Sequence, residues 1–183
     1  RLDKNTSGVM VVAKTENAHF NLCRTFSNHD LDRRYKAIVW GQPPDIGVIE
    51  KNIGRSSYNR KKMAISIKGK MAKTKWKVID IYAPLGSLIE CKLETGRTHQ
   101  IRVHLSDIGH SVIGDDLYGK PLSEKRLKNY SYKAKIQVIK SFKRQALHAT
   151  KLSFSHPITK KYLEFASPLP KDMLDLIKIL KNK

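Results

Sequence analysis

The feature that most constrains this chain is a run of short segments rich in β-branched and aromatic residues, at 34–40, 47–53, 63–67, 74–83 and 87–93. The first stops at Gly41 and the turn residues Pro43 and Pro44. Alternation is clearest where Trp76, Val78, Asp80 and Tyr82 interleave with Lys77, Ile79 and Ile81, because a period of two sends those two sets to opposite faces of a strand. Consecutive short strands of this kind predict an antiparallel or mixed sheet. The period then changes. Across 97–109, Ile101, Leu105 and Ile108 share a helical face, and Gly109 ends it, so a helix follows the strands.

Elements on either side complete an α+β pattern. Val9 to Ala13 is apolar and β-branched and reads as a buried strand, entered by the polar turn Asp3-Lys4-Asn5-Thr6-Ser7-Gly8, which puts Asp3 at a strand mouth. Residues 16–28 carry Phe20, Cys23 and Phe26 at near-helical spacing, so with 34–40 they form a strand, helix, strand unit. Residues 119–143 are lysine-rich and poorly periodic and predict a long surface insertion with partial disorder. Strands at 145–154 and 160–166 bracket a turn at Ser155, His156 and Pro157, and a closing helix from about residue 170 buries Met173, Leu174, Ile177 and Leu180. Without an internal repeat or linker, residues 1–183 read as one domain, with helices packed against a sheet.

Composition narrows the function. At 183 residues and 40% hydrophobic the chain can bury a proper core. It has no apolar run of about 18 residues and no leader, so a cytoplasmic protein without a membrane span is expected. Cys23 and Cys91 lack a CxxC partner, and His99 and His104 lie off the i, i+4 spacing of a helical metal pair, so free thiols, buried or half-buried, and no metal are expected. Against this ordinary background stands a net charge of +20, from 36 Lys and Arg against 16 Asp and Glu. The basic residues cluster, as in Arg55, Arg60, Lys61 and Lys62, then Lys68 to Lys77, then Lys125 to Lys140. Such surfaces hold nucleic acid through phosphate neutralisation and counterion release.

Composition alone names no reaction, but five ordered blocks do. Arg1-Leu2-Asp3-Lys4-Asn5-Thr6-Ser7-Gly8 comes first. Tyr35-Lys36-Ala37-Ile38-Val39-Trp40-Gly41 is next, then Leu93-Glu94-Thr95-Gly96-Arg97-Thr98-His99-Gln100-Ile101-Arg102-Val103-His104-Leu105, running on through Gly114-Asp115 to Tyr118-Gly119. Arg144-Gln145-Ala146-Leu147-His148-Ala149 and His156-Pro157 with Pro168 to Met173 close the series. Together these resemble the RluA-type RNA pseudouridine synthases over essentially the whole chain, and the insertion and closing helix look most similar to the branch that modifies large-subunit ribosomal RNA. The resemblance implies a mixed, mostly antiparallel sheet flanked by helices and crossed by an RNA groove. It also implies a histidine just before Arg1 and a further upstream strand, so the chain is expected to be an N-terminally truncated form of that fold, with an S4-type RNA-binding domain found in relatives also absent.

The same resemblance assigns roles. Asp3 is implied as the nucleophile that attacks either the sugar or the base of a flipped-out uridine, a covalent route that divides one difficult step into two. Arg102 is implied as its cationic partner, since a guanidinium within about 4 to 6 Å favours a carboxylate's charged form. Tyr35 is implied to stack on the base and to be able to move a proton, Ile101 to pack on the uracil, and Arg1 to enter the gap left by the extruded nucleotide. Each residue also has a plainer reading: Asp3 as a turn aspartate, Arg102 as a phosphate contact, and Tyr35 and Ile101 as core. Gly8, Gly96 and Gly114 read as turn glycines, Thr6 and Ser7 as local hydrogen-bonding residues, and His99, Gln100, His104 and His148 as buried polar scaffold. The chemistry is redox-neutral and transfers nothing from outside, so no cofactor is implied, and a monomer is expected. A non-catalytic RNA-binding or ribosome-assembly module and a synthase acting on transfer RNA are the alternatives.

Overall fold

The computed structural model describes residues 1–28, 31–122 and 131–182, without the side chains of 131–134. In chain order the elements are β1 (Ser7–Gly8), α1 (Glu16–Ser27), β2 (Leu31–Trp40), β3 (Ile46–Glu50), β4 (Ile53–Arg55), β5 (Met63–Ile65), β6 (Lys73–Tyr82), β7 (Gly86–Leu93), α2 (Gln100–Asp107), α3 (Ser131–Lys140), β8 (Leu147–Ser155), β9 (Tyr162–Ala166) and α4 (Lys171–Lys181). The main sheet runs β8-β2-β7-β6-β3 with every neighbouring pair antiparallel, while β4 and β5 form a separate small hairpin. The parallel pairing of β1 with β8 makes the sheet mixed, in the α+β class expected.

Alternation in β6 is realised as predicted. Trp76 and Tyr82 are buried while Ile79 and Ile81 face outward, and the register shifts between Val78 and Asp80. Central strand β2 instead ends in four buried residues, Ala37 to Trp40, because sheet neighbours lie on both edges and packed elements cover both faces. The core lies between this sheet and side chains from α2, α3 and α4, among them Leu105, Ile139, Met173 and Leu176. On α4 the buried set is Met173, Leu176 and Leu180; Leu174 points outward and Ile177 packs only partly, one helical step from the expected stripe. No helix of the described residues is long and apolar enough to cross a membrane.

Three further expectations are corrected. Residues 9–13 do not form a buried strand: only Ser7 and Gly8 pair with β8, at His148 and Ala149, and Met10 and Val12 are exposed. The reason lies in edge occupancy. A parallel continuation of β1 would run along Lys151 to Ser155, and β9 already pairs with those residues. The chain therefore leaves the sheet after the Val9 N–H bonds the Ala149 carbonyl. Within the lysine-rich stretch, residues 131–140 form helix α3, which buries Ile136 and Ile139; these two apolar positions, three apart, were too few to stand out among the lysines. The expected disorder falls partly on 123–130, outside the described residues. Of the two thiols, Cys91 is buried as expected and Cys23 is exposed, since α1 buries none of its residues.

Candidate active site

Three segments distant in sequence converge near the middle of the sheet. The first is the turn before β1. It is closed locally by the Thr6 N–H bonding the Asp3 carbonyl at 3.0 Å, and its side-chain tethers are long-range: Gln145 donates to the Lys4 carbonyl at 2.7 Å and to the Thr6 hydroxyl at 3.0 Å, and the Ser7 hydroxyl lies 2.9 Å from His148 Nδ1. Gly8 has φ +118°, and a Cβ there would collide with the Ala149 backbone, so only glycine lets β1 lie this close to β8. These contacts fix the loop that carries Asp3.

The second segment is α2, whose residues Gln100 to Leu105 are all buried. It is pinned by Gln100, whose amide donates to the Lys73 carbonyl and the Thr74 hydroxyl, both at 3.0 Å, and accepts from Thr95 and the Arg97 N–H. One turn along, His104 Nδ1 lies 3.0 Å from the Thr74 hydroxyl and Nε2 lies 3.1 Å from the Lys51 carbonyl. The carbonyl can only accept, so Nε2 carries the proton and Nδ1 accepts from Thr74. The expected scaffold role of these residues is thus met by donor-to-acceptor chains that tie α2 to β6.

With both segments fixed, Arg102 Nη1 lies 3.2 Å from an Asp3 carboxylate oxygen. Its Nε and Nη2 reach Asp115 at 2.6 and 2.8 Å, in a bidentate pair. Asp115 had gone unassigned, because Gly114-Asp115 has the look of an ordinary turn; only the signature block containing it hinted at more. Its side chain is fully buried, and one of its oxygens also accepts the Leu117 and Tyr118 N–H groups. Burial works against its charge, yet Arg102 and the two N–H groups outweigh it and hold the Asp115 carboxyl below its ordinary pKa. Burial likewise opposes the Arg102 charge, and the two carboxylates override it, raising the guanidinium's pKa. Tyr118 lies with its ring 5.1 Å from the Arg102 guanidinium carbon, and its hydroxyl accepts the Met63 N–H at 2.8 Å.

The third segment is β2. Tyr35 sits beside a register shift in the β2–β8 pairing, where Thr150 is the extra residue, a device often found where a side chain must be aimed. Burial pushes its phenol pKa up; Arg33 opposes that and the Asp3 charge adds to it, so the ring stays protonated at neutral pH.

Asp3, Tyr35, Ile101 and Arg1 all line one open cleft. Ile101 does so while also packing in the core, so both of its readings hold. Arg102 is not among the lining residues; it supports Asp3 from behind, with its side chain 5% exposed against 23% for Asp3. Sequence reading passed over Arg33, Arg97 and His99 as lining residues. Gly96, read as a turn glycine, also leaves room for a neighbour: a Cβ there would meet the tip of the Arg33 side chain. A carboxylate aimed into a cleft, gripped from behind by a guanidinium and facing a neutral phenol, suits nucleophilic attack on an electrophilic carbon.

Comparison with known proteins identifies the family. Residues 1–107 match the family described as RNA pseudouridylate synthase. Ribosomal large subunit pseudouridine synthase D of Zymomonas mobilis is 49% identical over 98% of this chain and 55% of its own length. The Vibrio cholerae protein of the same name is 42% identical over 100% of this chain and 55% of its own. The chain thus spans about half the length of these curated relatives. Among solved structures, human RNA pseudouridylate synthase domain containing 4 superposes with a TM-score of 0.77 at 27% identity, over 99% of this chain and 74% of that one. This chain belongs to the RNA pseudouridylate synthase family.

Proposed function

We propose that this chain is the catalytic domain of an enzyme that isomerises uridine to pseudouridine in large-subunit ribosomal RNA. The observation that carries the reading is the cleft carboxylate of Asp3 with Arg102 at 3.2 Å behind it and Tyr35 lining the same cleft. The relatives named above supply the substrate class, and the +20 charge suits a polyanion.

In the reaction the N1–C1′ bond of the target uridine breaks, the base turns over, and a C5–C1′ bond forms. The C5 proton leaves to solvent and N1 gains one. Asp3 attacks the sugar or the ring, holding one fragment covalently while the base rotates. Arg102 keeps Asp3 oriented without entering the cleft. Tyr35 and Ile101 bracket the uracil, and the phenol is protonated and able to donate. Arg1, at the cleft mouth, fills the place of the extruded nucleotide. The ribosomal RNA substrate named for these relatives fits an enzyme working in the cytoplasm.

The test is tritium release from unmodified large-subunit ribosomal RNA transcripts labelled at uridine C5. Release that saturates at one or a few uridines per transcript is expected. Binding without release would turn the reading into that of a non-catalytic RNA-binding module. Release only from transfer RNA would move the substrate.

A further inference from the structure

Of the arginines that are not exposed, Arg33 and Arg97 are the two without a carboxylate partner among the described residues. Arg102 has Asp3 and Asp115, Arg34 has Asp32 and Glu90, and Arg144 has Asp172. Among the described residues Arg33 pairs with no carboxylate, and its buried Nε has no hydrogen-bond partner. It stands two residues before Tyr35 on β2, so both side chains leave the same face of the strand. Its guanidinium packs against Gly96, where any larger residue would displace it, and it lies 5.9 Å from the centre of the Phe26 ring. It lines the Asp3 cleft and also the adjoining cavity beside Val9 and Phe26, and so sits where the two meet. Arg97 and Arg1 line the Asp3 cleft as well, and among the described residues no carboxylate other than Asp3 does. Asp3 is already held by Arg102.

Leaving a half-buried guanidinium without an anion is costly, and burial does lower the Arg33 pKa, with Arg97 adding to the effect. The absence of a side chain at Gly96 leaves room for that cation where it lies. An anion arriving from outside would satisfy it, and RNA supplies one phosphate per nucleotide. We propose that Arg33, with Arg97 beside it, is the phosphate-binding element of the cleft, receiving the backbone phosphate next to the nucleotide whose base reaches Asp3. The proposal rests on the reading of this chain as an RNA-modifying enzyme. Arg33 bonds phosphate through a planar fork, which both neutralises the charge and sets the sugar's position, and that geometry is what the reacting carbon needs.

The probe is the unmodified large-subunit ribosomal RNA transcript, with Arg33→Met, Arg33→Gln and Arg33→Lys compared with the natural protein. The two neutral variants are expected to raise KM about tenfold with kcat within about threefold. They are also expected to reduce the slope of log affinity against log salt by about 0.7 to 0.9, the share of one phosphate, and Lys is expected to restore the slope. A raised KM with an unchanged slope would assign Arg33 to the base and overturn the phosphate reading. Unchanged KM and slope, or a loss confined to kcat, would overturn it too. Either neutral variant suffices if the other fails to fold. Because the salt slope is a binding measurement, it reports on Arg33 even if the natural protein releases no tritium, so the two readings can fail separately.

Discussion

Asp115 grips Arg102 through both carboxylate oxygens, at 2.6 and 2.8 Å, and leaves only one Arg102 nitrogen to reach Asp3. The aspartate that faces the cleft is therefore aimed by one that never touches it.

Asp115→Asn removes one half of a buried ion pair and leaves the guanidinium with a single carboxylate. A loss of about 3 to 5 kcal/mol is expected in urea denaturation, as for other buried pairs broken on one side. Turnover in those molecules that fold is expected to fall about tenfold to a hundredfold through misplacement of Asp3, with RNA affinity held within a few fold. Unchanged turnover would show that Arg102 orients Asp3 unaided.

Asp3→Asn keeps the shape of the turn and removes the nucleophile. Isomerisation is expected to vanish while RNA binding stays within about a few fold, because electrostatic attraction to phosphate comes from the whole surface. Tritium release persisting in this variant would remove Asp3 from the chemistry.

Arg102→Ala is expected to lower turnover more than affinity, and to destabilise the fold by leaving Asp115 buried without its cation. Arg102→Lys keeps the charge but not the fork that spans two carboxylates, so it is expected to recover stability only in part and turnover hardly at all. An effect confined to affinity would make residue 102 a phosphate contact.

His104 gives a pH dependence whose sign can be worked out. Burial lowers its pKa from the ordinary 6.5, while the unfolded chain protonates near that value. The stability it contributes is fully present above pH 6.5 and drains away as pH falls toward the folded pKa, because only the unfolded chain takes up the proton in that window. His148 and His99 are lowered by burial in the same direction. Urea midpoints are expected to be flat from about pH 7 upward and to fall between about pH 6.5 and 5. His104→Gln is expected to lower stability at pH 7.5 and flatten that decline; an equally steep decline would exonerate His104.

Gly8→Ala tests how the nucleophile's loop is hung. With φ at +118° and the Ala149 backbone in the way, β1 has to shift from β8. A loss of more than about 1 kcal/mol is expected, with kcat reduced and RNA affinity nearly unchanged. Retained kcat would show that the position of Asp3 is set by Gln145 alone.

Periodicity alone was enough for the strands of the sheet centre and for α2, because alternation and helical spacing report which side of an element is apolar, and it located α4 while setting its buried stripe one helical step off. The motif blocks were enough to pick out Asp3, Tyr35, Ile101 and Arg102, which the fold brings to one cleft and its immediate support. Neither signal could show that residues 9–13 stay out of the sheet, since that outcome depends on β9 holding the edge they would need. Nor could they show that Arg102 works from behind the cleft, that Asp115 is its principal partner, or that Arg33 has no carboxylate partner among the described residues. Ion pairing and edge occupancy are settled between distant segments, 99 residues apart for Arg102 and Asp3 and 141 for Ser7 and His148, and local pattern carries no record of which distant side chain arrives first.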